Sequence, residues 1–246
     1  MSDGVAVDDA ARVAELAERL AKVQRRIESA TAEAGRGHEL PTLIVVTKFH
    51  PAADIRRLAA LGVRDVGENR DQEASAKAAE LADLPLHWHF VGQLQSKKAK
   101  SVARYAHAVH SIDRPALIDG LERAIAVEQD LTGRGPLQCF IQVSLDDDAG
   151  AHRGGAAPGE IPLLADRMAA ADGLELAGVM AVAPLGADPE AAFEKLAAIS
   201  ASLVAVHPAA TSISAGMSQD MEAAIRFGAT HLRIGSDILG SRPDVG

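Results

Sequence analysis

The chain has 246 residues, 48% of them hydrophobic, with 34 acidic against 25 basic side chains and a formal charge of -9 at pH 7. That is enough apolar material for one large domain or two small ones, and the acidic balance argues against a nucleic-acid surface, which needs a basic face to displace condensed counterions. A single cysteine, Cys139, rules out an internal disulfide framework, the N-terminal MSDGVAVDDA has no signal-peptide pattern, and no stretch of about eighteen apolar residues occurs, so a cytoplasmic protein without a membrane span is expected.

In chain order, Val13, Leu16, Ala17, Leu20, Val23 and Ile27 recur at spacings of three and four between charged residues, which predicts an amphipathic helix over 13–27 packed on the outside of the domain. After Pro41 the pattern changes to short apolar or β-branched runs separated by helical stretches, the mark of parallel β/α units. Strands are expected at 42–48, 63–69, 87–92, 108–113, 137–145, 174–182, 210–216 and 231–236, with helices at 52–61, 70–82, 95–105, 115–129, 159–171, 188–205 and 217–227. Cys139, in the fifth run (LQCFIQV), reads as a small buried hydrophobe. The stretches 133–136 and 146–159 read as loops, the second long enough to be an active-site element. Eight strands with intervening helices and no linker fit a single-domain (β/α)8 TIM barrel with an extra N-terminal helix; an open doubly wound sheet is the alternative.

A barrel of this kind places its chemistry at the C-terminal ends of its strands. There the sequence puts Lys48 after the first strand, Glu68 and Asn69 after the second, Gln93 near the third, Asp113 after the fourth, Ser214 and Gly216 after the seventh, and Arg233, Gly235 and Ser236 after the eighth. An ammonium ending the apolar run LIVVT either snorkels to solvent or is desolvated, which favours the neutral amine that attacks carbonyls to make Schiff bases. The turns SAGMS (214–218) and RIGS (233–236) lead from the last two strands into helical segments, where free N–H groups and hydroxyls can hold an anion. Loops after strands seven and eight are a recurrent phosphate site of the barrel; taken alone, these serines are helix caps and the glycines turn residues. A lysine and a phosphate cup together suit a ligand with an aldehyde and a phosphate, a description that covers pyridoxal 5′-phosphate and the substrates of a sugar-phosphate aldolase.

The motifs VTKFHP (46–51), GEN (67–69), WHFVGQLQSKK (88–98), HSID (110–113), IQVSL (141–145), LAGVMAV (176–182), GMSQDMEAAI (216–225) and RIGSDILG (233–240) narrow this further. Through them the chain resembles the pyridoxal phosphate homeostasis proteins, a family similar in fold to the N-terminal barrel of alanine racemase, over nearly all of 40–242. The resemblance implies pyridoxal 5′-phosphate as cofactor and Lys48 as its Schiff-base lysine. It implies that Ser214, Ser218, Gly235 and Ser236 hold the phosphate, that Met217 belongs to the same binding set, that Arg233 faces the pyridine nitrogen and that Asn69 lies beside the ring. An arginine at that nitrogen, always charged, opposes protonation of the ring and weakens the cofactor as an electron sink. The family analogy therefore describes a monomeric carrier that buffers the cofactor's supply to apo-enzymes, without strong catalysis. The chain departs from the family pattern at Gln93, where proline is common, at Lys97 for asparagine, at Ser236 for threonine, and at 152–154, beginning with His152, for a lysine and glycine after the fifth strand.

Two catalytic readings compete with the carrier. A racemase needs a second proton donor: alanine racemases draw a tyrosine from a further β-rich domain, which is not expected within these residues. The only tyrosine, Tyr105, falls on a helical pattern outside the barrel, and His89, His110 and His152 are the other candidates. An aldolase needs a base such as Glu68 or Asp113 beside the lysine. His87 and His89 share a strand face, but no third ligand stands at metal-site spacing, so no metal is expected. The basic run QSKKAK (95–100) reads either as a lure for the anionic cofactor or a partner, or as a solvated helix face.

Overall fold

The computed structural model describes residues 2–37, 39–146 and 154–241, and for 2–8 the backbone alone. Its eight strands pair in chain order, each parallel to the next, and β8 closes on β1. The strands are β1 Thr42–Val46, β2 Asp65–Glu68, β3 His87–Phe90, β4 Ala106–Ile112, β5 Leu137–Gln142, β6 Leu174–Met180, β7 Ser212–Ser214 and β8 His231–Ile234. Around them lie α1 Ser2–Glu33, α2 Ala52–Ala60, α3 Asp71–Glu80, α4 Ala99–Tyr105, α5 Pro115–Thr132, α6 Ile161–Ala169, α7 Pro189–Val206, α8 Met221–Arg226 and α9 Ser236–Leu239. The barrel is closed, so the open sheet is set aside.

Most strands end before the apolar runs do, because the last residues of each run leave the ladder at the C-terminal rim. Thr47 still donates its N–H to the Gly67 carbonyl at 2.9 Å, but Lys48 already lies in a turn. The helix expected at 217–227 starts only at Met221. The Asp220 carboxylate accepts the Met217 N–H at 2.6 Å and closes a separate turn before it. Residues 96–98 form a 3-10 turn ahead of α4. Since α8 and α9 have only six and four residues, the outer face near β8 needs further cover. The N-terminal helix supplies it, burying Leu16, Leu20, Val23, Ile27 and Ala30 and tying its Arg26 to Glu222 and Asp237.

Alternation along the strands sorts side chains into two compartments. Leu43, Val45, Val66, Trp88, Phe90, Cys139, Ile141, Ile213, Leu232 and Ile234 belong to the large core between sheet and helices. Inside the barrel Ala108, Phe140, Ala177 and Met180 form a small apolar cluster, Ile44 is buried on the same inward parity, and polar side chains such as His89, His110, Ser214 and Arg233 are buried there too. Cys139 is fully buried and free, and burial pushes its thiol up. No helix of the described residues is long and apolar enough to cross a membrane.

Four histidines, His89, His107, His110 and His231, lie in or against this interior, and burial lowers the pKa of each, to about 4 for His107 and His231. They are neutral in the folded protein at neutral pH, whereas unfolded histidine takes a proton near pH 6.5. Stability is therefore unaffected by them above about pH 6.5 and is lost as pH falls from there. The loss is about 1.4 kcal/mol per pH unit for each proton that only the unfolded chain binds. A melting series should show Tm dropping steeply between about pH 6.5 and 5, before carboxylates titrate; a flat Tm there would mean that these imidazoles accept protons in the folded state.

Candidate ligand-binding site at the barrel mouth

At the C-terminal rim a cavity of about 530 Å³ is lined by Val46, Lys48, Asn69, Met180, Met217, Ser218, Arg233, Gly235 and Ser236, among others. Of the eight binding residues expected from sequence, all but Ser214 line it. The period of two explains why: Val46 and Lys48, Gly67 and Asn69, and Arg233 and Gly235 each share the inward parity of their strands, while their neighbours turn to the helices.

Lys48 is exposed at the rim, so the apolar strand delivers its ammonium to the mouth instead of burying it. Its two neighbours are fixed. The Thr47 hydroxyl donates to Glu68 Oε1 at 2.7 Å, and the Phe49 N–H donates to Glu73 Oε1 at 2.7 Å. Lys77, from α3, bonds the Thr47 carbonyl at 2.9 Å, Glu68 Oε1 at 2.7 Å and Glu73 Oε1 at 2.6 Å, so one buried ammonium ties the peptide on either side of Lys48 to the same cluster. Phe49 has φ of 70°, the one described residue other than glycine with a positive φ. That left-handed step costs about 1–2 kcal/mol and turns the chain out of the sheet immediately after the lysine. Two cations approach the Phe49 ring, with Lys48 Nζ 5.9 Å and the Arg70 guanidinium 5.3 Å from its centroid.

On the neighbouring strand β8, Arg233 is buried and donates to Ser214 Oγ at 2.7 Å and to the Ala181 carbonyl at 2.9 Å. Burial pushes its pKa down to about 10, which still leaves it a cation at neutral pH. Asn69 Oδ1 is buried without a hydrogen-bond partner, the only such side-chain atom among the described residues that belongs to the cavity lining. Its backbone is pressed by the loop after β3, where a Cβ on Gly92 would come within 2.1 Å of the Asn69 carbonyl oxygen. At the other edge, the Ser236 and Asp237 N–H groups open α9 ahead of any carbonyl the helix can offer. Gly235 lets that turn approach β1, since a Cβ there would meet the Val46 carbonyl at 3.1 Å.

Five expected rim residues do not line the cavity: Gln93 is exposed beside it, Gly216 is buried in the turn after β7, and Ser214, Glu68 and Asp113 have partners elsewhere. Ser214 is fully buried beneath the cavity, where it accepts from Arg233 and contacts His110 Nδ1 at 2.9 Å. Glu68 points outward to Lys77, and burial raises its carboxyl pKa against the pull of that lysine. Asp113 pairs with Arg114 and lies outside the cavity lining. Tyr105 lines a separate hollow between α3 and α4, with its hydroxyl 3.5 Å from Asp71. His152 lies outside the described residues; no group of three potential metal ligands occurs among those described. In the basic run, Lys98 pairs with Asp71 at 3.2 Å. Sequence reading missed Lys77 and Glu73, whose signal was an ordinary i,i+4 acid–lysine pair on α3.

An amine, an orphaned carboxamide, a buried cation and the first N–H groups of α9 around one concave mouth define a (β/α)8 barrel whose lining suits a small anionic ligand. Residues 12–243 match the family model described as alanine racemase, N-terminal domain. The pyridoxal phosphate homeostasis protein of Mycobacterium leprae is 42% identical over 244 residues, which is 93% of each chain. PipY of Synechococcus elongatus, solved with pyridoxal phosphate bound, superposes with a TM-score of 0.76 at 36% identity, over 92% of this chain and all of that one. The chain therefore belongs to the pyridoxal phosphate homeostasis family of alanine racemase N-terminal-type barrels. Alanine racemase of Corynebacterium glutamicum shares the fold, with a TM-score of 0.64 at 15% identity over 95% of this chain and 62% of that one.

Proposed function

We propose that this protein holds pyridoxal 5′-phosphate at the barrel mouth and thereby maintains its intracellular supply. The observation that carries the reading is Lys48 in the lining of a cavity of about 530 Å³ that it shares with the buried cation Arg233 and with Asn69, whose Oδ1 is unpartnered. A cavity of that size accepts a cofactor-sized ligand. Names borne by relatives point the same way: M. leprae's protein is called a pyridoxal phosphate homeostasis protein, and PipY was solved with the cofactor bound.

When bound, the cofactor supplies an aldehyde that a primary amine can capture and a pyridine ring that can accept electrons. Lys48 offers the amine. Ser218, Gly235 and Ser236 hold the phosphate, Met217 covers the mouth, and Asn69 offers its carboxamide beside the ring. Arg233 faces the ring nitrogen as a cation and opposes its protonation, which blunts electron withdrawal and favours storage over turnover. Ser214 serves the site through Arg233 and not by touching phosphate. The protein acts in the cytoplasm as a monomer and passes the cofactor to apo-enzymes.

Borohydride reduction of the purified protein, with and without added pyridoxal phosphate, followed by peptide mass spectrometry, should place a pyridoxyl phosphate group on Lys48. An adduct on another lysine, or none after loading, would overturn the reading, and the mouth should then be tested with sugar phosphates.

A further inference from the structure

Below Arg233 the inside of the barrel carries a line of polar side chains that holding a cofactor does not by itself require. Ser214 Oγ, which accepts from Arg233, lies 2.9 Å from His110 Nδ1; His110 Nε2 lies 2.9 Å from His89 Nδ1; His89 Nε2 lies 3.0 Å from Asp65 Oδ1. The same Asp65 oxygen meets His87 Nδ1 at 3.1 Å. Ser214, His110 and His89 are buried, and the His110 ring lies flat on Phe140, centroids 4.2 Å apart, which fixes its plane. Asp65 opens β2 at the opposite end of the barrel from the mouth, half-buried, and His87 beside it is exposed.

The protons on this line can be assigned. Burial drives the Asp65 carboxyl up, but hydrogen bonds from His89 and His87 outweigh it and hold the group below the ordinary carboxylate range, so it is an anion that only accepts. His89 must then carry its proton on Nε2. Burial keeps both inner imidazoles neutral, so His89 Nδ1 is a bare acceptor and His110 must donate from Nε2. That leaves His110 Nδ1 bare, and it accepts the Ser214 hydroxyl, whose lone pairs are thereby turned to Arg233. Every donor in the line points the same way, from the guanidinium cation at the mouth to a carboxylate at the far end. With either end neutral, this order loses its electrostatic reason.

We propose that Asp65 is a positioning residue for Arg233: through His89, His110 and Ser214 it sets the direction of a hydrogen-bond relay that holds the guanidinium in place to face the cofactor's ring nitrogen. This rests on the cofactor reading given above. The relay moves no proton in operation; it fixes one tautomer in each imidazole and one rotor in Ser214.

The test uses the full chain, unloaded and loaded, as wild type, Asp65→Asn and Asp65→Glu. In the unloaded wild-type protein, imidazole 15N spectra should show His89 and His110 both protonated at Nε2, with the Arg233 guanidinium protons protected from exchange. Asp65→Asn should mix the tautomers and lose that protection. In the loaded protein it should shift the absorption band of bound pyridoxal phosphate and weaken its retention about fivefold, while Lys48 still forms the borohydride-fixed adduct. Asp65→Glu should restore band and retention. Nδ1 protonation of either histidine in the wild type would overturn the proposal. So would an Asp65→Asn protein with mixed tautomers but unchanged Arg233 protection, band and retention. Failure of the wild type to take up pyridoxal phosphate at Lys48 would sink the cofactor reading alone, because tautomers and Arg233 protection are read in the unloaded protein.

Discussion

Lys48→Ala is expected to abolish covalent capture of pyridoxal phosphate and to leave a weaker association that depends on the phosphate. Among the described residues, Lys48 is the only lysine that lines the cavity. Lys77, the nearest alternative along the same cluster, is buried and already donates to the Thr47 carbonyl, Glu68 and Glu73, so it has no free donor direction toward the mouth. The proposed phosphate cup of Ser218, Gly235 and Ser236 is untouched in the variant and should keep its hold on the anionic end. Retention should fall by about a hundredfold, since each tenfold in affinity corresponds to about 1.4 kcal/mol and a carbonyl–amine link contributes several. Equilibrium dialysis measures the drop, and inorganic phosphate should compete off what remains. Lys48→Arg, which keeps the charge without the nucleophile, should behave like Lys48→Ala in borohydride fixation but retain more ligand. A Lys48→Ala protein that still gives a reducible adduct at full occupancy would move the covalent site to another lysine.

The barrel and its order of elements were legible because eight β-branched runs alternated with helical patterns, and that rhythm is local. What was not legible either carries no local periodicity or depends on long-range contact. Helix α1 begins at Ser2, well before the periodic face at Val13, because its acidic first turns carry no apolar stripe to read. Helix α9 has four residues, shorter than any periodicity can register. At the site, Lys48, Asn69 and Arg233 stood at readable strand ends, and the motifs named their company. Ser214 was placed on the right strand face but at the wrong depth: it belongs to the layer below the cavity, and depth depends on how β7 staggers against β8, where Ser214 pairs with His231. Glu68 could have been excluded by the period of two, since adjacent strand residues face opposite sides and Asn69 already faced the mouth. The relay from Arg233 to Asp65 was hidden for a different reason. His89 and His110 meet only because β3 and β4 pair with a register shift after Trp88, which no run of residues within either strand records.

The second large effect is expected from Lys77→Met, a change of similar volume that removes the ammonium under Lys48. Glu68 is almost wholly buried, and one of its oxygens, Oε2, has no hydrogen-bond partner even with the lysine in place. Removing one partner of a buried ion pair leaves an uncompensated charge and costs about 3 kcal/mol, which for a chain of this size lowers Tm by roughly 6–12 °C. The sign of the pH dependence follows from Glu68. Burial raises its folded pKa above the unfolded value, so the folded state holds the proton more tightly and stability falls as pH rises through that raised pKa; without Lys77 the pKa goes higher still. The deficit of Lys77→Met should thus nearly vanish at pH values below about 4.5 and be full at neutrality, and Glu68→Gln added to Lys77→Met should recover most of it. A deficit of equal size at both ends of that range would assign the loss to packing around the substituted side chain on α3 instead of to the stranded carboxylate. Because the same ammonium holds the Thr47 carbonyl and the Glu73 carboxylate that fix both flanks of Lys48, the variant should also capture pyridoxal phosphate more slowly, even at temperatures where it is fully folded. Glu68→Gln would not rescue that step, which separates the cost of a buried charge from the orientation of the amine.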